Sequence, residues 1–212
     1  MKSVVVLISG RGSNLEALIN AGLPVKFAAV ISSHPAAGGL EHAKKHGITT
    51  LILNHRDYAV REDFDAELTA RLETFRPDLI VLAGFMRILG DTFVRRFENR
   101  IMNIHPSLLP AFPGLHTHAQ ALAAGVKIHG CTVHFVTPEL DHGPIIIQAA
   151  VPVLPSDNEQ SLAARVLEQE HRIYPLAVRW FAEDRLVIEN RRVRVIDASD
   201  KISSMQVPGE EN

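Results

Sequence analysis

The chain has 212 residues, 46% hydrophobic and 22% charged, with a mean hydropathy of +0.07, which excludes disorder as its main state and predicts one globular domain with a sizeable core. Its formal charge is −2 and its basic residues are scattered apart from the run Arg191-Arg192-Val193-Arg194, so extended polyanion binding is excluded and no nucleic acid is expected as a partner. A lone cysteine, Cys131, leaves no disulfide framework and no Cys-based zinc site, and neither a membrane-length apolar run nor a leader peptide is apparent, so the expected location is cytoplasmic.

Val4-Val5-Val6-Leu7-Ile8 is an uninterrupted β-branched and aliphatic run, the pattern of a buried parallel strand. The turn Ser9-Gly10-Arg11-Gly12 follows, then a helix with Ser13 and Glu16 in capping-box spacing and Leu15, Leu18 and Ile19 on one face. The unit repeats: a strand over 26–32, a Gly38-Gly39 turn, a helix over 40–46 stopped by Gly47, and a strand over 50–53. Phe64, Leu68, Leu72 and Phe75 mark an amphipathic helix that Pro77 closes before a strand over 79–83. A helix over 92–97 and a strand over 101–104 come next, then a proline-rich stretch from His105 to Gly114 that is too apolar for a solvated linker.

After a helix over 119–124, residues 131–136 alternate as a half-exposed strand does, and the turn 137–143 leads to a strand over 145–148, predicting an antiparallel hairpin. Ser156 and Glu159 form a second capping-box pattern that opens a long helix, with a kink at Pro175. A last strand over 185–189 precedes a polar tail, 199–212, expected to be mobile. Alternating strands and helices predict an α/β fold with a mostly parallel twisted sheet, helices on both faces and an antiparallel C-terminal addition. Residues 1–198 are expected to form one domain, with a nucleotide-binding half over 1–100 and a catalytic half over 101–198.

Several residues carry candidate chemistry. The turn through Gly12, Ser13 and Asn14 is either a plain tight βα turn or a seat for one phosphate at a helix N-terminus; Leu15 replaces the third glycine of a dinucleotide fingerprint. Asn103 and His105 stand at i and i+2 near the carboxyl end of a central strand, so their side chains share one face and can donate together to a developing oxyanion. Asp141, at the hairpin turn, is a turn former or a carboxylate that sustains His105 and accepts a proton. Phe85, Met86, Arg87, Ile88 and Leu89 cap the core or form a flat apolar slot with one cation. His116 and His118 have metal-pair spacing, but His129 and His134 bring no carboxylate or thiolate, so no metal is expected.

Eight ordered motifs together are far more specific than any of these: ISG-x-GSNL, LAGFMRIL, NIHPSLLP, PGLHTH, HG, VHFV, ELD-x-GPI and QEH-x-IYP. With them the sequence resembles the folate-dependent formyltransferase family over residues 4 to about 185, and within it the branch acting on glycinamide ribonucleotide. The resemblance implies a Rossmann-like formyltransferase fold and transfer of a formyl group from 10-formyltetrahydrofolate, the donor co-substrate, to the ribonucleotide amine in purine biosynthesis. It implies catalytic roles for Asn103, His105 and Asp141, and ribonucleotide contacts from Gly12, Ser13, Asn14 and Glu170. It implies folate contacts from Arg61, Met86, Arg87, Ile88, Leu89, Asn103, Thr137, Pro138, Glu139, Leu140 and Asp141, with no metal. Arg11, Pro138 and His142 depart from the family pattern. A tRNA formyltransferase would be expected to carry a further C-terminal domain and a deformylase a further N-terminal one; a deformylase or a silent folate- and nucleotide-binding homologue is the alternative reading. A monomer or homodimer is expected.

Overall fold

A computed structural model describes residues 1–198, so the tail predicted over 199–212 lies outside the described residues. Strands β1 (Lys2–Ile8), β2 (Val25–Ser32), β3 (Thr50–Ile52), β4 (Leu79–Leu82) and β5 (Ile101–His105) pair in parallel. Strands β6 (Ile128–Phe135) and β7 (Ile145–Pro152) extend the same sheet antiparallel, giving the order β3-β2-β1-β4-β5-β6-β7. The strand order reverses direction between β1 and β4, which is where open α/β sheets open a crevice at the carboxyl ends of their strands.

Helices α1 (Ser13–Asn20), α2 (Gly39–Lys45), α3 (Arg61–Phe75), α4 (Asp91–Arg96), α5 (Thr117–Ala123) and α6 (Glu159–Ala182) cover both faces. The period-2 geometry of β1 divides the core. Val4, Val6 and Ile8 pack with α1, α2, α5 and α6, whereas Val5 and Leu7 pack with Phe64, Leu68 and Leu72 of α3 and Phe93 of α4. Each such large side chain, once fully buried, contributes roughly 1.5–3 kcal/mol to folding. Tyr174, the largest fully buried side chain, reaches from α6 into the sheet, its hydroxyl 2.9 Å from the carbonyl oxygens of both Leu82 and Met102. The long helix is thereby tied to the carboxyl ends of β4 and β5.

The structure corrects four expectations. Ser13 is the first residue of α1 and caps nothing; the N-cap is Gly12, in the left-handed region at φ 85°, with no capping side chain. At the start of α6 the box is Asn158 with Ser161, because the Asn158 side-chain Oδ1 accepts the Ser161 N–H at 2.9 Å and the Ser161 hydroxyl accepts the Asn158 N–H at 3.1 Å. The helix then continues through Pro175 to Ala182. Strand β6 is buried along almost its whole length, since β5 and β7 flank it and helices cover it; its polar alternation marks internal hydrogen-bonding groups rather than a wet face. Finally, β8 (Leu186–Glu189) is not the last strand. Its antiparallel partner β9 (Arg192–Val195) uses the alternating Arg-Val-Arg-Val run, and Asn190 and Arg191, at φ 46° and 68°, make the turn.

Candidate active site

A cleft of about 580 Å³ opens beyond the carboxyl ends of β4 and β5. Asn103, His105 and Asp141 all line it, and the two donors of β5 share one face of the strand. The His105 imidazole is buried, its Nε2–H donating to the carbonyl of Phe112 at 3.0 Å. Its Nδ1 therefore faces Asp141, whose Oδ2 stands 3.6 Å away. That separation exceeds a hydrogen bond and leaves Nδ1 open to a third atom. Asp141 itself sits in the left-handed region at φ 54°, a conformation Asp adopts more readily than most residues, and its Oδ2 accepts the Gly114 N–H at 2.8 Å. One carboxylate oxygen thus stands between the proline-rich segment and His105.

Asn103 is oriented by a residue that sequence reasoning did not assign to the site. His134 lies directly opposite it on β6, and the Asn103 amide donates to His134 Nε2 at 3.2 Å. His134 Nδ1 in turn donates to the Phe135 carbonyl at 2.9 Å, so the ring must be the neutral Nδ1–H tautomer. Burial holds this imidazole below its ordinary range, outweighing the pull of the Phe135 carbonyl and of Asp141. One N–H of the Asn103 amide is spent on His134; the second is available to the cleft. The signal that could have found His134 is the pairing register of β5 with β6, which no local pattern displays.

Next to this floor, Asn14 and Glu170 line the cleft and bond each other at 2.7 Å, from the Asn14 amide to Glu170 Oε2. Burial pushes the Glu170 carboxyl above its usual range, with the Asn14 amide acting the other way. Asn14 Oδ1 is buried with no partner. Gly12 and Ser13 lie just before Asn14 in the turn, where the N–H groups of Ser13, Asn14 and Leu15 have no intrahelical acceptor. The turn also abuts α2: a Cβ on Gly12 would collide with Gly39 Cα, so two backbones meet here without side chains between them.

The opposite wall is apolar. Met86, Arg87, Ile88 and Leu89 line it, with Met86 and Ile88 exposed at the mouth, and Thr137, Pro138 and Leu140 line the cleft from the hairpin turn. Glu139 does not reach the lining; it pairs with Arg191 at the tip of the β8–β9 hairpin, 3.8 Å away. Arg61 is not brought to the cleft either. It faces a neighbouring groove with Asp65 and Gly90, beyond the 86–89 segment. Of the residues that depart from the family pattern, Arg11 and His142 are both exposed, and His142 Nδ1 donates to the Leu140 carbonyl at 2.7 Å.

His118 also lines the cleft, with its Nδ1 at 3.2 Å from His129 Nε2. Desolvation, reinforced by the His118 ring, pushes His129 down to about 4. Among the described residues no group of three or more His, Cys, Asp or Glu side chains is placed to hold a metal ion, and no helix is long and apolar enough to cross a membrane. Burial raises the Cys131 thiol to about 12, so it is a poor thiolate source.

A doubly wound sheet that presents paired hydrogen-bond donors and a carboxylate at its switch-point cleft suits group transfer through an oxyanion. The chain belongs to the formyl transferase family, whose sequence pattern spans residues 2–178, and is a formyltransferase. It is 52% identical over 188 residues to phosphoribosylglycinamide formyltransferase of Escherichia coli, covering 87% of this chain and 89% of that one. The crystal structure of glycinamide ribonucleotide transformylase 1 from Symbiobacterium toebii superposes with a TM-score of 0.90 at 52% identity, over 93% of this chain and 95% of the other. The trifunctional purine biosynthetic protein adenosine-3 of Drosophila melanogaster is 53% identical over 183 residues, 84% of this chain but 14% of that much longer protein.

Proposed function

We propose that this enzyme transfers the formyl group of 10-formyltetrahydrofolate to the primary amine of glycinamide ribonucleotide, giving the N-formyl ribonucleotide and tetrahydrofolate. The observation that carries the reading is the convergence of Asn103, His105 and Asp141 on the floor of one cleft that has an apolar wall on one side and the Asn14–Glu170 pair on the other. The apolar wall fits the flat heteroaromatic ring of the donor, and the uncapped α1 turn beside Asn14 fits a single phosphate. The donor supplies a formyl group already activated on a nitrogen.

The chain's own residues then divide the work. The free N–H of Asn103 and the Nδ1–H of His105 donate to the formyl oxygen as the amine adds to the formyl carbon and negative charge develops. Asp141, beside Nδ1, sustains the positive charge on the ring and accepts the proton that leaves the attacking nitrogen, directly or through a water. The proton goes to the departing folate nitrogen as the carbon–nitrogen bond to the donor breaks. Glu170 and Asn14 orient the ribonucleotide.

The test is a formyl-transfer assay with the purified full chain, 10-formyltetrahydrofolate and glycinamide ribonucleotide, following tetrahydrofolate release. Release that requires the ribonucleotide supports the proposal. Release without an acceptor would show a deformylase, and release dependent on initiator methionyl-tRNA would show a tRNA enzyme; either overturns it.

A further inference from the structure

Asp65 is the one acidic residue of α3 that is buried, on the same face as Phe64, Leu68 and Leu72. Its Oδ2 accepts the backbone N–H of Gly90 at 2.8 Å, while Oδ1 is buried without a partner. A carboxylate with a single bond in such a place is costly, and a well-packed apolar residue would be cheaper for the fold. Burial raises its carboxyl above the usual range, opposed by the Gly90 N–H and then by the Arg61 guanidinium, with Arg87 contributing the same way. The carboxylate therefore has a position that folding alone does not favour.

The place it holds is informative. Gly90 is the N-cap of α4 and follows directly on the 86–89 wall of the cleft. Gly90 has an ordinary extended backbone, φ −75° and ψ 160°, so the conformation does not require glycine. A Cβ there would nonetheless stand 2.9 Å from Asp65 Oδ2, so a side chain at this position would displace the carboxylate. The same groove contains Arg61, the cation that the family resemblance links to the folate although it does not line the cleft.

We propose that Asp65 is a positioning residue for donor recognition: from α3 it clamps the Gly90 end of the 86–89 wall, setting the shape of the surface that receives the folate. This rests on the reading of that wall as the donor site. Asp65 touches no reacting atom, so its loss acts on donor affinity rather than on the chemical step.

Three variants of the full-length chain, Asp65→Ala, Asp65→Asn and Gly90→Ala, test this by steady-state kinetics with both substrates and by calorimetric titration with tetrahydrofolate. Asp65→Ala is expected to raise the donor KM and the tetrahydrofolate Kd about tenfold, the loss of one charge-assisted buried bond, with kcat and the ribonucleotide KM changed less than about threefold. Asp65→Asn, which keeps an oxygen for the Gly90 N–H, should recover most of the affinity. Gly90→Ala, which leaves the carboxylate in place and displaces it, should reproduce the Asp65→Ala effect. A merely structural role would lower the melting temperature and the active fraction and leave both KM values alone, which overturns the inference. Should wild type bind tetrahydrofolate and turn over while all three variants bind it equally well, the clamp is refuted and the donor site stands; a wild type that binds no folate refutes both.

Discussion

Asn103 does two things at once, and substitution separates them. In Asn103→Ala the cleft loses the free amide N–H, on the proposed mechanism an oxyanion donor, whose removal should cost ~10²–10³ in kcat. The same change strips His134 Nε2 of its partner inside a buried pocket. An orphaned buried acceptor costs about 2 kcal/mol of stability, which for a domain of this size lowers Tm by roughly 4–8 °C. His134→Phe removes the unsatisfied nitrogen, so the double variant Asn103→Ala/His134→Phe should recover much of the lost Tm while its kcat stays as low as that of Asn103→Ala. Thermal unfolding and single-turnover formyl transfer on the four proteins of the cycle check this. If the double variant regained activity along with stability, the rate loss would have been a folding effect and Asn103 would not be an oxyanion donor.

His105→Ala should likewise lower kcat ~10²–10³ with the fold intact, read by circular dichroism beside the assay. Asp141→Asn keeps both the shape and the tolerance for positive φ, so a fall in kcat of similar size with an unchanged Tm would assign the loss to charge alone. Glu170→Gln should depend on pH in a definite sense. Because burial raises the folded carboxyl above its ordinary 4.5, the native state favours the protonated form; that advantage is present below the unfolded value and lost as pH rises through the folded one. The Gln variant should therefore be more stable than wild type at about pH 8 and no more stable at about pH 4, by urea denaturation at both. His129 has the opposite sign. It stays neutral in the fold down to about 4 whereas the unfolded chain protonates it near 6.5, so stability should fall as pH drops through that window, and His129→Asn should flatten the profile.

The order of strands and helices could be read along the chain because parallel strands buried on both faces show as apolar runs and the intervening helices as 3.6-residue periods. Asn103 and His105 were accessible in the same way, since i, i+2 spacing at a strand end is a local fact. What stayed hidden depends on pairing between distant segments. His134 meets Asn103 only through the β5–β6 register, and Asp65 meets Gly90 only because α3 packs beside α4. The caps were misplaced by one or two residues because Ser, Asp and Asn crowd each helix start and only geometry selects among them. The β9 strand was overlooked because its arginines suggested a charge run, although the alternation with Val193 and Val195 carries the strand signature.

The three residues at the heart of the cleft are not equally fastened. Asn103 and His105 belong to a strand with hydrogen-bonded neighbours on both sides, whereas Asp141 rides on a short turn held by the Gly114 N–H and, from outside, by Arg191 donating to the His142 carbonyl at 2.9 Å. In native-state hydrogen exchange the backbone amides of β5, paired on both sides, should open more slowly than those of 137–143. The position of Asp141 thus depends on the turn and not on strand pairing. On the proposed mechanism, the oxyanion donors and the proton acceptor are therefore fastened to parts of the fold of unequal local stability.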